Sequence, residues 1–252
     1  MPSDAKVGSG RWSAALFGFW AALLTAVSAA VALGMAIMTP PRSGPFCSSD
    51  CITAPYTDVV GFVPRDYLWM YAACLMLVSF VVLVACMHQS VAEPRRAFSL
   101  VGLSFALVAA TAALTDYFIQ LFVLQPSLLM GQTDGLSLFS MYNPHGVFIA
   151  LEDLAYFFLG VSLVSVAAAL PLGGGVMRAT RITFLFAGVL AVVSLVGLAW
   201  VYGRDLGYRY EVAAIGIDWL ALTVSGVLLS IAFRRGAIGD RPSPAGASRT
   251  TS

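Results

Sequence analysis

Six runs of about twenty apolar residues set the terms for this chain, at about 13–38, 67–88, 97–125, 146–170, 182–203 and 211–233. A helix needs roughly 20 such residues to cross the hydrocarbon core of a bilayer, whereas a barrel strand needs only about 9–11. In hydrocarbon each backbone N–H and C=O must be satisfied internally, and a helix does this within its own segment. The expected fold is therefore all-α: a polytopic membrane helical bundle with six transmembrane helices. Charged residues make up 11% of the chain, against about 25% in soluble domains, which excludes an ordinary soluble domain.

Basic residues orient the bundle. If the N-terminus is cytoplasmic, that side holds Lys6, Arg11, Arg95, Arg96, Arg178, Arg181, Arg234, Arg235, Arg241 and Arg249. The opposite side holds only Arg42, Arg65, Arg204 and Arg209. The asymmetry follows the positive-inside rule, so both termini are expected in the cytoplasm and the protein in the cell (inner or plasma) membrane. Reporter fusions after Arg96 and Arg181 should read cytoplasmic and a fusion near Gln132 should read outside; a periplasmic signal after Arg181 would overturn this orientation. The first run ends in small residues that resemble a cleavage site. It is longer than the roughly 7–15 residues of a signal-peptide core, so it is expected to be retained as a span. Nothing in the charge pattern suggests nucleic-acid binding.

The chain divides into a polar tail at 1–12, a transmembrane domain at 13–235 and a second polar tail at 236–252. Both tails are expected to be disordered, being too polar to bury a core. Connections on the cytoplasmic side are short, which makes successive helices antiparallel neighbours. The outward loops, at about 39–66, 126–145 and 204–210, are longer and could form a lid or a partner surface. The second is apolar as well as long, with Leu128, Leu129, Leu136, Leu138, Phe139 and Met141. It is expected to lie in the interface or to fold back over the bundle.

Four carboxylates fall inside the apolar runs: Asp116, Glu152, Asp153 and Asp218. Acids in hydrocarbon are costly, and they usually face a bundle interior or a water-filled cavity. Counted from the outer helix ends at 1.5 Å per residue, Asp116, Glu152 and Asp218 all lie roughly 9–14 Å deep. Three helices thus present acids to one layer, and the three are expected to converge. Gln120 and Tyr156 follow Asp116 and Glu152 by four residues, and His145 precedes Glu152 by seven, so each shares a helix face with an acid. Asp153 is rotated about 100° from Glu152 and is expected to be the odd member, turned toward a helix interface or backbone. The candidate ligand-binding or proton-holding residues are Asp116, Gln120, His145, Glu152, Tyr156 and Asp218. The competing explanation is structural: protonated acids hydrogen-bonding to Tyr or Thr across helices.

Cys47 and Cys51 lie in the first outward loop, where thiols oxidise, and are expected to form a disulfide. Asp50 beside them does not complete a zinc site, which needs further Cys or His ligands; no metal is expected. Three glycines at Gly173–Gly175 lack the strand–helix setting of a phosphate loop, and no cofactor is expected.

TDYFIQLFVLQPSLL, followed by GLSLFSMYNPHGVFIALEDLAYFF, resembles a family of bacterial six-span integral membrane proteins that carries no established activity. The resemblance covers mainly the third and fourth spans and the loop between them. It implies the six-span topology and nothing chemical.

The leading functional expectation is an outward-facing intramembrane pocket, acidic and aromatic, that binds a small amphipathic, lipid-like or cationic ligand. Tyr67, Trp69, Tyr71, Tyr117, Tyr156 and Trp219 could line it and supply cation–π contacts. The alternatives are an intramembrane acid/base enzyme acting on an isoprenoid or lipid, a proton-coupled transporter, and a structural subunit. The transporter reading is weakened because the acids are biased outward and nothing polar is expected to continue into the cytoplasmic half.

Overall fold

A computed structural model describes residues 14–171, 173–236 and 238. Of the two tails, all but Gly236 and Ile238 lie outside the described residues. The described chain is helical, with no strand among its residues. Six helical segments are long and apolar enough to cross a membrane.

The helices are α1 (Ala14–Met38), α2 (Trp69–Gln89), α3 (Arg96–Ile119), the short α4 (Gln125–Leu129), α5 (Val147–Ala169), α6 (Val176–Tyr202) and α7 (Arg209–Arg234). A π-helical turn at Gln120–Leu124 joins α3 to α4, so the third span runs on to Leu129. At the end of α6, Gly203 (φ +52°) reverses the chain, a backbone conformation that glycine adopts without steric cost. The helices form a closed ring in chain order, α1–α2–α3–α5–α6–α7, and α1 closes it against α7. Contact between α5 and α7, inside the turn made by α6, brings two of the acid-bearing helices together.

Close backbone approach holds the ring. A Cβ placed at Gly188 on α6 would meet the Gly160 carbonyl of α5 at 2.4 Å. One at Gly226 on α7 would meet the Ala22 carbonyl of α1 at 2.7 Å. Small residues permit such contacts, which supply the dispersion energy that lipid-facing Leu and Val cannot. Hydroxyls add specific bonds between helices. Ser162 on α5 donates to the Gly102 carbonyl of α3 at 2.7 Å, and Thr25 on α1 donates to Ser79 on α2 at 3.0 Å. On the outside, Phe186, Val193, Val196 and Trp200 of α6 are exposed, as an apolar solvent allows.

The outward loops are tied into one cap. Asp66, buried just before α2, accepts from the Arg42 guanidinium, from Arg65 Nε at 3.1 Å and from the Tyr142 hydroxyl at 3.1 Å. The Arg42 guanidinium also stacks 3.5 Å above the Phe62 ring. Ser43 donates to the Tyr142 carbonyl at 2.6 Å and sits 2.8 Å from the Tyr208 hydroxyl. All three outward loops therefore meet at Ser43. Burial, with Tyr67 and the charge of Asp66 nearby, pushes the Tyr142 phenol up, and it stays a neutral donor. Cys47 and Cys51 are bonded to each other in the first loop. In the second loop Leu128 and Tyr142 are buried while Leu129, Met130 and Leu138 stay exposed. That loop thus folds partly over the bundle and leaves the rest of its apolar residues outward.

Candidate functional site

Glu152, on the second turn of α5, is the centre of the buried polar layer. Its Oε1 accepts from the Tyr117 hydroxyl of α3 at 2.6 Å. Tyr156, one turn further along α5, places its hydroxyl 2.9 Å from that of Tyr117 and 3.4 Å from the same carboxylate oxygen. All three side chains are buried. Trp69, Phe148 and Trp219 close around them: Trp69 meets Tyr117 edge-on at 5.3 Å between centroids and Trp219 at 5.8 Å, while Phe148 lies 6.3 Å from Tyr117. Aromatic pairs in this range contribute about 0.5–1.5 kcal/mol beyond their buried area.

The other side of Glu152 faces α7. Glu211, in the first turn of α7, lies within hydrogen-bonding reach of the Glu152 carboxyl. Two carboxyls can bond to one another only if one of them carries a proton. Asp116 and Asp153 lie close enough for electrostatic interaction with both Glu152 and Glu211. Asp153 is half-buried and faces the start of α7, where Tyr210 also feels its charge.

Asp218 occupies the same interior but sits beside the pair rather than within it. It is fully buried, and its charge is felt by the hydroxyls of Tyr156 and Tyr210. Neither of its carboxylate oxygens has a hydrogen-bond partner among the described residues. Tyr156 thus lies between Glu152 and Asp218 and feels both. No group of three or more Asp, Glu, His or Cys side chains converges on a metal position among the described residues.

Two sequence candidates serve elsewhere. Gln120 begins the π-helical turn, is fully buried, and donates through Nε2 to the Phe139 carbonyl at 2.5 Å. It ties the second outward loop to the bundle. His145 is exposed at the mouth of α5, so the expectation that it is aimed at fully buried Glu152 is corrected. The turn before α5 explains this: the backbone N–H of His145 is held by the Asn143 side chain at 3.0 Å, outside the helix, where helical spacing does not apply. Tyr71, expected among the lining aromatics, also faces outward and is exposed.

Above the acidic layer lies a cavity of about 320 Å³. Trp69, Phe148 and Glu211 line it toward the bundle interior, and Tyr142, Tyr208 and Arg42 line it toward the cap. Ile37 near the end of α1 and Val212 near the start of α7 also line it, and these are 76% and 51% exposed. The cavity therefore opens sideways, between the end of α1 and the start of α7. Glu211 is the residue that joins cavity and acidic layer, and the sequence candidates did not include it. Its spacing of seven from Asp218 puts it on the same helix face, though it stands at the edge of the apolar run rather than within it.

Comparisons with family models, with curated proteins and with solved structures find no match to this chain.

Proposed function

We propose that this protein binds a small amphipathic, lipid-like molecule in the cavity between α1 and α7, on the outward side of a cell membrane, with both termini in the cytoplasm. The observation that carries the reading is the sideways opening of a largely apolar, aromatic cavity onto Glu211, which neighbours the buried Glu152 carboxyl. Ligand sites are typically concave and mostly apolar, with a few convergent polar groups, in cavities of roughly 300–1,000 Å³. A molecule that partitions into the bilayer reaches such an opening without crossing water. The bacterial six-span resemblance of the third and fourth spans is consistent with this setting.

A second reading draws on the same pair. A proton shared between Glu152 and Glu211 beside an apolar cavity is the equipment that acid/base chemistry on a lipid or isoprenoid requires. Proton-coupled transport is less well supported, since among the described residues no carboxylate lies within the α-helices of the cytoplasmic half, where interhelical contacts include Ser162 to the Gly102 carbonyl and His88 to Ser99.

Mass spectrometry of lipid extracted from the purified protein tests the binding reading. A Cβ at Gly216, which lines the cavity, meets nothing within 4 Å, so Gly216→Phe should fill the cavity and leave the fold intact. A specific lipid-like species is expected with the wild type and should fall by about tenfold or more in Gly216→Phe. Equal recovery from both would contradict the proposal. A chemically altered product accumulating on incubation would favour the enzyme.

A further inference from the structure

We propose that the ligand of this cavity carries a positively charged ammonium head that bonds to Glu211, and a single apolar chain that leaves between α1 and α7 past Ile37 and Val212. This rests on the cavity being a binding site and specifies the chemistry it selects.

The charges along the cavity wall carry the argument. Two ionic side chains line it, Arg42 and Glu211. Arg42 is already committed: its Nε and Nη2 both bond Asp66, and its guanidinium lies over the Phe62 ring. Glu211 has no basic partner among the described residues, where the ion pairs are Arg42–Asp66, Arg65–Asp66 and Arg96–Glu93. Its Oε2 is enclosed with no hydrogen-bond partner among the described residues, while the side chain as a whole lines the cavity. The group it faces is another carboxyl, Glu152, whose Oε1 is occupied by the Tyr117 hydroxyl.

A cation beside Glu211 favours the charged form of the Glu152–Glu211 pair, in a wall whose other ionic side chain, Arg42, is bonded to Asp66. An ammonium supplies both the missing countercharge and N–H donors, and charge-assisted bonds of this kind are about twice as strong as neutral ones. Trp69 and Phe148 stand beside Glu211 in the same wall, and ring faces attract a cation. An anionic head would meet repulsion from Glu211 while Arg42 remains bonded to Asp66. An alcohol would supply a donor and leave the charge uncompensated. The lateral gap sets the rest, since the exposed Ile37 and Val212 give a chain an apolar exit into the bilayer.

Calorimetric titration of the purified protein in maltoside micelles with dodecylamine, dodecanol and dodecanoate separates these possibilities. The wild type should bind dodecylamine about tenfold or more tighter than either of the others. Glu211→Gln, which keeps the side chain's size and a hydrogen bond to Glu152, should erase that preference and bring the three within about threefold. Gly216→Phe should weaken all three. A wild type that binds the three equally, or favours dodecanoate, overturns the ammonium head, and the cavity reading survives if Gly216→Phe still weakens binding. Retention of the amine preference in Glu211→Gln also overturns it. Binding of all three that is indifferent to Gly216→Phe overturns the cavity reading itself.

Discussion

Asp66→Ala is expected to lower stability by about 3 kcal/mol, the low end of the range for removing one partner of a buried ion pair. Asp66 is 1% exposed and collects donors from Arg42, Arg65 and Tyr142. Arg65 is largely exposed and loses little when its partner goes. Arg42 is only 16% exposed and would be left half-buried without a countercharge. Tyr142, a buried phenol, would lose the acceptor for its hydroxyl, which costs about 1–3 kcal/mol where nothing replaces it. At this chain length the melting temperature should fall by roughly 10 °C. Asp66→Asn should fall by less, since an amide oxygen still accepts from Tyr142. Scanning fluorimetry of the two variants beside the wild type checks the ordering. Unchanged melting in Asp66→Ala would mean that the loops are not held together through this carboxylate. The freed Arg42 would also stand unpaired in the cavity wall, so the same variant should lose discrimination between cationic and anionic amphiphiles.

The second large effect is expected at Glu152, where substitution by leucine and by glutamine should diverge. Glu152→Leu removes the acceptor of the buried Tyr117 hydroxyl and the neighbour of Glu211. The buried Tyr117 hydroxyl and the half-buried Glu211 carboxyl then lose their partner, and a cost of about 3 kcal/mol follows from roughly 1–3 kcal/mol for each. Tyr117 and Tyr156 can still bond to one another, which keeps the loss from being larger. Glu152→Gln preserves an oxygen for Tyr117 and presents N–H groups to Glu211, so its cost should stay within about 1 kcal/mol. Thermal melting of both variants distinguishes this network from passive burial. If leucine proves as stable as glutamate, the tyrosine–carboxylate cluster contributes nothing to the bundle.

Much of this architecture is legible in the amino-acid sequence because a bilayer imposes length on its helices. Hydropathy runs end where helices end, and α1, α5 and α7 begin and stop within a few residues of their runs. The third span continues to Leu129 because the π-helical turn at Gln120–Leu124 carries the helix past Gln125, and hydropathy does not register a change of helical pitch. The depth of the acids followed from the rise per residue alone. Their partners did not, because Glu152 meets Glu211 only through the contact of α5 with α7 around α6. No spacing along one helix encodes that contact. The cap was less legible still. Arg42 and Asp66 are 24 residues apart in irregular chain, where there is no periodicity from which to infer a pairing. His145 shows the complementary error, since helical spacing was extended one residue beyond a helix whose N-cap is Gly146.

A crystal structure of the protein purified with its native lipid tests the central claim most directly. It should show elongated density with its polar end at Glu211 and its apolar end passing between Ile37 and Val212. A cavity collapsed by contact of α1 with α7 at these residues, with the same density elsewhere or absent, would contradict the assignment of this cavity as the ligand site.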